Sequence, residues 1–180
     1  MNWYVLFVET GKEDTVQMMI QKNFDESVVR AIVPKRKLKE RKHGKTYEIY
    51  RKLFPGYVLL RTQMNTEIYY KLKRIPNCNR LLNRHNYSGY SHDRREPHLF
   101  STVEDDEMKI ILQFIGNGET IDYSTLYIEN AKVKVVDGPL KGKESIIRKI
   151  DKRKKRARIA VNFLGNEKLI DVGVETLSPI

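Results

Sequence analysis

Apolar residues recur at helical spacing in three segments of the first 116 positions. A surface helix buries one stripe of side chains, so apolar residues at every third or fourth position predict an amphipathic helix. The three stripes are Val16, Met19, Ile20 and Phe24; Ile68, Leu72 and Ile75 with Tyr69; and Met108, Ile111, Leu112 and Ile115. Residues 101–104, Ser-Thr-Val-Glu, predict a capping box that opens the third helix.

Strand-like runs lie before and between these helices. Residues 3–8 are aromatic and β-branched and are followed by Gly11, which predicts a buried strand. Residues 28–34 are also typical of a strand. Residues 35–52 form two runs on either side of His43-Gly44-Lys45, and this arrangement predicts a hairpin rich in lysine and arginine.

A further apolar strand is predicted at residues 53–60, Leu-Phe-Pro-Gly-Tyr-Val-Leu-Leu. Pro55 has no N–H to donate to a sheet, so it favours an edge or an entry position, and Gly56 lets the backbone turn. Two explanations of the apolar character stay open: a central place in a sheet, or a partner that binds from outside. We expect Phe54 and Tyr57 to face outward.

From Ala131 onward the pattern changes to short β-branched runs separated by turn residues. The runs span residues 132–136, 145–150, 157–163 and 168–172. Short strands at that spacing predict a small barrel, and Gly116-Asn117-Gly118 marks the clearest boundary in the chain. We therefore predict an α+β chain: an N-terminal βα sandwich of helices and antiparallel sheet at 1–116, a linker at 117–128 and a β-barrel at 129–180.

Composition limits the classes of protein that the chain can belong to. Of its 180 residues 40% are hydrophobic, enough for a core, and a formal net charge of +11 favours a polyanionic partner. Cys78 is the one cysteine, which excludes an intramolecular disulfide and a thiolate zinc site. No apolar stretch has the length of a membrane span, and residues 1–8 lack the features of a signal peptide, so we expect a soluble, cytoplasmic protein.

No arrangement of residues indicates an active site. The four histidines fall in turns and in a polar loop at residues 85–100, without the helical spacing or thiolate partner of a metal site. The glycines at 116–118 end a helix, which is the wrong context for a phosphate loop, and acidic residues 104–107 suit the first turn of a helix. We predict that the chain is not an enzyme and holds no metal or cofactor.

The densest charge feature lies between the second and third strand-like runs of the barrel. Its basic residues are Arg148, Lys149, Lys152, Arg153, Lys154, Lys155, Arg156 and Arg158. A solvated turn needs no ligand, but many like charges repel one another, and a nearby anion lowers that cost. We predict that this hairpin, together with Lys141 and Lys143, binds RNA, because lysine and arginine contact phosphates and arginine can also stack on bases.

Two motifs resemble the NusG family of transcription elongation factors. Trp3-Tyr4-Val5, a following helix and Phe54-Pro55-Gly56-Tyr57-Val58 are similar to the N-terminal (NGN) domain of that family. Residues 133–140 resemble the start of a KOW domain, and residues 161–165 resemble its late strand and loop. The resemblance implies a βα sandwich joined by a flexible linker to a five-stranded, SH3-like barrel, in agreement with the pattern of apolar residues.

The same resemblance implies a protein partner, RNA polymerase, whose clamp coiled coil the N-terminal domain binds through an apolar face. The matching positions are Tyr4, Phe54, Pro55, Tyr57 and Leu59, with Tyr69 and Tyr70 at the helix that faces the opposite jaw of the cleft. A ligand that bridges the cleft binds the closed clamp better than the open one. It would therefore shift the polymerase population toward the closed clamp and so suppress pausing.

Two classes of family member differ in what the barrel contacts. In housekeeping members the barrel contacts a ribosomal protein or the termination factor Rho, at positions that match Phe163 and Leu164. The basic hairpin makes the chain more similar to specialised paralogues of the LoaP type, whose KOW domain recognises an RNA hairpin in the nascent leader.

Our leading hypothesis is a monomeric processive antitermination factor that binds RNA polymerase and a nascent RNA hairpin. One alternative is a housekeeping factor that couples transcription to the ribosome or to Rho. Another is a ribosome-associated RNA-binding protein that contains a KOW barrel.

Overall fold

The computed structural model of the chain describes residues 1–82, 100–130 and 132–177, and within them it is a mixed α+β protein, as the sequence predicts. The helices are α1 (Glu13–Asn23), α2 (Thr66–Lys73) and α3 (Asp105–Ile115). The strands are β1 (Asn2–Val8), β2 (Val29–Ile32), β3 (Lys35–Lys42), β4 (Lys45–Lys52), β5 (Tyr57–Thr62), β6 (Cys78–Leu81), β7 (Thr102–Val103), β8 (Thr120–Ile121), β9 (Ser124–Glu129), β10 (Lys132–Asp137), β11 (Ile147–Asp151), β12 (Arg156–Phe163) and β13 (Asn166–Leu177).

The chain divides into two compact units. The first unit comprises Met1–Val33 and Phe54–Asp105, and the second comprises Pro34–Leu53 and Asp106–Ile180. The domain boundaries predicted from the sequence, at 116 and 129, remain a prediction.

An antiparallel sheet forms the centre of the first unit. Its strands lie in the order β2-β5-β1-β6, and β7 pairs with β1. Alternate residues of a strand point to opposite faces, so one face of β1 and β5 packs on the apolar stripes of α1 and α2. The buried residues of that core include Leu6, Val16, Ile20, Leu60 and Leu72. The two helices predicted from these stripes are therefore confirmed.

The predicted capping box at residues 101–104 is wrong. Thr102 and Val103 form β7 and pair with Tyr4 and Trp3 of β1, so they are held in a sheet and cannot form a helical turn. The helix α3 begins only at Asp105.

The predicted basic hairpin is confirmed and belongs to the second unit. Strands β3 and β4 pair along their whole length, and a two-residue turn joins Lys42 to Lys45. His43 and Gly44 both have positive φ angles, 50° and 77°, as in the type I′ turns that match the twist of a hairpin. Beside Lys35 and Arg36, β8 adds a short parallel strand.

The C-terminal residues form a curled, barrel-like sheet of five strands in the order β10-β9-β13-β12-β11. Most pairs are antiparallel, but β9 runs parallel to β13. The sequence pattern missed β9, because the predicted linker at residues 117–128 contains most of it and all of β8. These two strands carry few β-branched residues in a row. β8 pairs with the distant β3, and β9 pairs with the distant β13 as well as with the adjacent β10.

Two further observations concern single features of the chain. Among the described residues, no helix is long and apolar enough to cross a membrane. Burial raises the pKa of the Cys78 thiol to about 11, so the thiolate that would react is scarce at neutral pH.

Candidate protein and nucleic-acid interfaces

Residues Phe54 to Tyr57 form a tight turn that a buried carboxylate holds in place. The Tyr57 N–H donates to the Phe54 carbonyl at 3.3 Å, and Gly56 has φ +82°, as at the third position of a type II turn. Glu13, only 1% exposed, accepts the Gly56 N–H on Oε1 at 2.7 Å and the Gly11 N–H on Oε2 at 3.0 Å. The first turn of α1 therefore fixes the entry to β5.

Three of the residues predicted to bind polymerase lie inside the protein. Leu59 is fully buried, and Tyr4 packs in the core with α1 and α2. Phe54 is 6% exposed, so the expectation that it faces outward is wrong. As the first residue of the turn it precedes the reversal of the chain, and its ring is packed in the core. Ordinary core packing explains the apolar character of these three positions.

The remaining residues of this predicted surface reach solvent to different degrees. Pro55 is exposed, and Tyr57 is half-buried against the edge of Phe7, with ring centroids 5.6 Å apart. The guanidinium of Arg80 lies 5.7 Å from the centre of the Phe7 ring. The sequence reasoning missed Phe7, although its place opposite Tyr57 follows once β1 is paired with β5.

On α2 the two predicted tyrosines differ. Tyr69 is half-buried and stacks on Phe100 at 5.0 Å, whereas Tyr70 is exposed and touches Tyr69 edge-on at 5.4 Å. Asn65 caps this helix by accepting the Ile68 N–H at 2.8 Å, which places both rings on its first turns.

The predicted RNA-binding hairpin is formed by β11 and β12. Its turn, Lys152 to Lys155, is exposed, and Asp151 accepts the Lys154 N–H at 2.9 Å. Lys155 adopts a positive φ of 52°, and its carbonyl accepts the Val174 N–H at 3.0 Å. Lysine and arginine cannot be buried cheaply without partners, so these side chains project from a backbone that is fixed by its own hydrogen bonds.

The strand residues of this hairpin are partly neutralised. Arg158 donates to Asp171 at 2.8 Å, and this hydrogen bond lowers the pKa of the Asp171 carboxyl, with Arg36 and Arg156 adding to the effect. Arg148 lies 3.5 Å from Glu167, and Lys149 is exposed. Within residues 132–177, the turn residues Lys152, Arg153 and Lys154 are exposed and make no ion pair, as is also the case for Lys141 and Lys149 of the predicted set.

The other predicted contact residues of the barrel differ in exposure. Lys141 is exposed, but the Lys143 ammonium lies 5.8 Å from the centre of the Phe114 ring. Phe163 is fully buried. Leu164 is half-buried, and its N–H donates to Oε2 of Glu107 at 3.0 Å, while the Gly165 N–H donates to Oε1 at 2.9 Å. In this structure, one carboxylate of α3 therefore occupies the amide of Leu164, in the predicted ribosome or Rho contact, and that of the next residue, Gly165.

The described residues hold no cluster of three or more histidine, cysteine, aspartate or glutamate side chains that could bind a metal ion. Most of the polar loop at residues 85–100, including His85, His92 and His98, lies outside the described residues.

Comparison with known proteins gives one consistent family. Residues 1–112 match the family model described as transcription termination factor nusG. The chain is 27% identical to the transcription termination/antitermination protein NusG of Bacillus subtilis over 179 residues, which cover 95% of this chain and 94% of the relative. The corresponding protein of Streptococcus pyogenes serotype M1 is also 27% identical, over 94% of this chain and 91% of its own length.

A solved structure supports the same likeness across the whole chain. It is described as showing a domain interaction in NusG of Thermotoga maritima, and it superposes with a TM-score of 0.54 at 25% identity. The match covers 96% of this chain and 93% of that one.

Proposed function

The chain belongs to the NusG family of transcription termination/antitermination factors, and on that premise we propose that it is a processive antitermination or elongation factor. Residues 1–116 bind RNA polymerase, and the barrel at 129–180 binds nascent RNA. The protein acts as a monomer in the cytoplasm, without bond chemistry of its own.

The polymerase contact is made by the part of the apolar segment that reaches solvent. Pro55 and Tyr57, extended by Phe7, present an apolar edge whose backbone is held by Glu13. A preformed turn loses little conformational freedom on binding, so more of the contact energy remains as affinity. The exposed Tyr70 supplies a second apolar contact for the opposite jaw of the cleft.

The RNA contact is carried by the barrel turn Lys152 to Lys155. The single observation that supports it is that Lys152, Arg153 and Lys154 are exposed and unpaired within residues 132–177. Phosphate contacts give affinity that falls with salt, and arginine can stack on unpaired bases of a loop. This concentration of charge favours the specialised LoaP-type role over a housekeeping one, and an RNA hairpin over a ribosomal protein or Rho.

In vitro transcription through an intrinsic terminator tests the proposal. Adding the protein should increase readthrough when the template encodes the leader RNA of its target operon, and replacing Lys152, Arg153 and Lys154 by Ala should remove that increase. Tyr57→Ser should weaken co-purification with polymerase, whereas Tyr127→Ser, at a half-buried tyrosine of β9, should not. Circular dichroism checks that each variant is folded.

Unchanged readthrough with the triple variant would contradict the RNA assignment. Unchanged polymerase association of a folded Tyr57→Ser variant would contradict the protein contact. The two results are independent, because the variants lie in different units of the chain.

A further inference from the structure

The positive charge of the protein is concentrated in two hairpins. The first basic hairpin, Lys35–Lys52, has nine basic and two acidic residues. Residues 148–158, the basic part of the barrel hairpin, have eight basic residues against one acidic residue. Each is net +7, so together they exceed the net charge of +11 of the whole chain, and the remainder is net acidic. The attraction of a polyanion is therefore expected to be strongest at these two hairpins.

The first basic hairpin packs directly on the barrel-like sheet inside the second unit. A Cβ added at Gly173 of β13 would lie 2.5 Å from the Lys37 carbonyl oxygen and 2.5 Å from the Tyr123 ring, so only glycine permits this approach. Lys39 forms an ion pair with Glu175 of β13, and its ammonium lies 5.0 Å from the centre of the Tyr123 ring.

Acidic residues join the arginines of the two hairpins. Glu40 of β3 lies 3.2 Å from Arg51 of β4 and 3.7 Å from Arg156 of β12. On the barrel, Asp171 binds Arg158 and also interacts with Arg36. The Nε atoms of Arg36 and Arg156 are buried and have no hydrogen-bond partner among the described residues. This cluster therefore keeps more cationic donors than the two carboxylates satisfy.

The strand register shows which other residues share the face of this cluster. In an antiparallel pair, directly opposed residues and every second residue along a strand lie on one face. Three opposed pairs of β3 and β4 therefore share one face of the first basic hairpin: Arg36 with Arg51, Glu40 with Tyr47, and Lys42 with Lys45. Because Glu40 on this face contacts Arg156, the face that meets the barrel continues to the tip of the hairpin. On the barrel, Lys149, Arg158 and Asp171 are opposed across three strands and form the next row of one face.

From these contacts we propose that the first basic hairpin and the barrel hairpin form one continuous RNA-binding surface. The inference rests on the proposed function and extends it to residues of β3 and β4, for which the sequence alone indicates no role. From Arg36 to Lys42, β3 spans roughly 20 Å, at about 3.4 Å per residue, which is comparable to the length of on the order of six steps of a nucleic-acid strand. The barrel turn alone is too short to follow a stem over that distance.

An exposed aromatic ring on this surface could stack on an RNA base. Tyr47 is 49% exposed and lies on the same hairpin face as Lys42, Lys45 and Arg51. Proteins recognise unpaired RNA bases by stacking them on aromatic rings next to basic side chains. We assign Tyr47 as a stacking platform for an unpaired loop base, with the surrounding lysines on the phosphates.

Three variants matched in residue type test the surface. Each replaces two lysines and one arginine by alanine, all at exposed positions: Lys42, Lys45 and Arg51 in the first basic hairpin; Lys152, Lys154 and Arg153 in the barrel turn; and Lys12, Lys22 and Arg74 in the first unit as the control. Fluorescence anisotropy with a labelled RNA stem-loop, measured over a series of salt concentrations, gives the affinity and its salt dependence for each full-length variant.

The hairpin variant should bind about tenfold or more weakly than wild type, and the slope of log affinity against log salt should fall by about 3, as for the barrel variant. The control variant should retain wild-type values. Tyr47→Ala should weaken stem-loop binding about fivefold or more without changing the salt slope.

Two results would overturn the inference in different ways. If the hairpin variant behaves like the control while the barrel variant loses affinity, the composite surface is wrong and the proposed RNA contact of the barrel stands. If the wild-type protein does not bind the stem-loop better than the barrel variant, the proposed function itself is wrong. Gly173→Ala keeps every charge but forces the Lys37 carbonyl away, so a folded variant should also lose affinity.

Discussion

The apolar segment at residues 53–60 and the basic turn at residues 152–155 are both predicted binding surfaces, but they differ in their exposure to solvent. Most of the apolar segment is buried, with Leu59 fully enclosed and Phe54 at 6% exposure. The whole basic turn is exposed. An apolar side chain gains free energy either in the core or at an interface, so its chemistry does not tell which place it occupies. A run of cations is costly to bury, so its exposure follows from its chemistry.

Among the substitutions that test this contrast, Phe54→Ala should have the largest effect. Removing a buried ring leaves a cavity, so we expect a loss of about 3–5 kcal/mol in the free energy of unfolding. Urea denaturation followed by circular dichroism measures it. Pro55→Ala, one position further along at an exposed site, is the comparison and should cost much less. Equal, small losses for both would mean that Phe54 is a surface residue after all.

Glu13→Ala removes the acceptor that holds the turn of the apolar segment. Two backbone N–H groups, those of Gly11 and Gly56, would lose their partner. Gly11 is exposed and can turn to water, but leaving the buried Gly56 donor unsatisfied costs about 1–3 kcal/mol. We expect lower stability and, in two-dimensional NMR spectra, shifted amide signals for Gly56 and Tyr57. Glu9→Ala, at an exposed carboxylate nearby in the sequence, should leave both unchanged.

Asp171→Asn tests the charge balance of the barrel hairpin, where the Asp171 carboxylate interacts with Arg158, Arg36 and Arg156. The Arg158 hydrogen bond lowers the folded-state pKa of Asp171, so its contribution is present above the unfolded pKa of about 3.9 and is lost as the pH falls below it. At pH 7 we expect the variant to be less stable by about 0.5–1 kcal/mol. Thermal unfolding from pH 7 to pH 3 should show the difference from wild type shrinking below about pH 4. A constant difference would assign the effect to something other than charge.

The smallest expected effect is on the stability of the barrel-turn variant with Lys152, Arg153 and Lys154 replaced by Ala. These side chains are exposed and unpaired within residues 132–177, so the free energy of unfolding should change by less than about 0.5 kcal/mol. Loss of RNA affinity without loss of stability would show that the turn serves binding, whereas Phe54 serves the stability of the fold. A large loss of stability would show that the turn has a structural role.

Elements with a strong local pattern were predictable. The stripe of Val16 and Ile20 predicted α1, and the turn at His43-Gly44 predicted the first basic hairpin, because helical periodicity and turn chemistry are local properties. β9 and β6 were missed because they have no clear alternation; β6 pairs with the distant β1, and β9 pairs with the distant β13 in addition to the adjacent β10. The capping box failed for a similar reason: sheet pairing of Thr102 with Tyr4 outweighed a local preference.

By itself, the sequence determined the order of most helices and strands, the two basic hairpins and the position of the tight turn at Pro55-Gly56. Only the tertiary structure decided which faces are covered. Glu13 accepts a hydrogen bond from Gly56, and Lys39 pairs with Glu175, which lies 136 positions further along the chain. Local patterns follow from the stereochemistry of neighbouring residues. Burial and ion pairing between distant residues depend on which strands pair and pack, and that choice minimises the free energy of the whole fold.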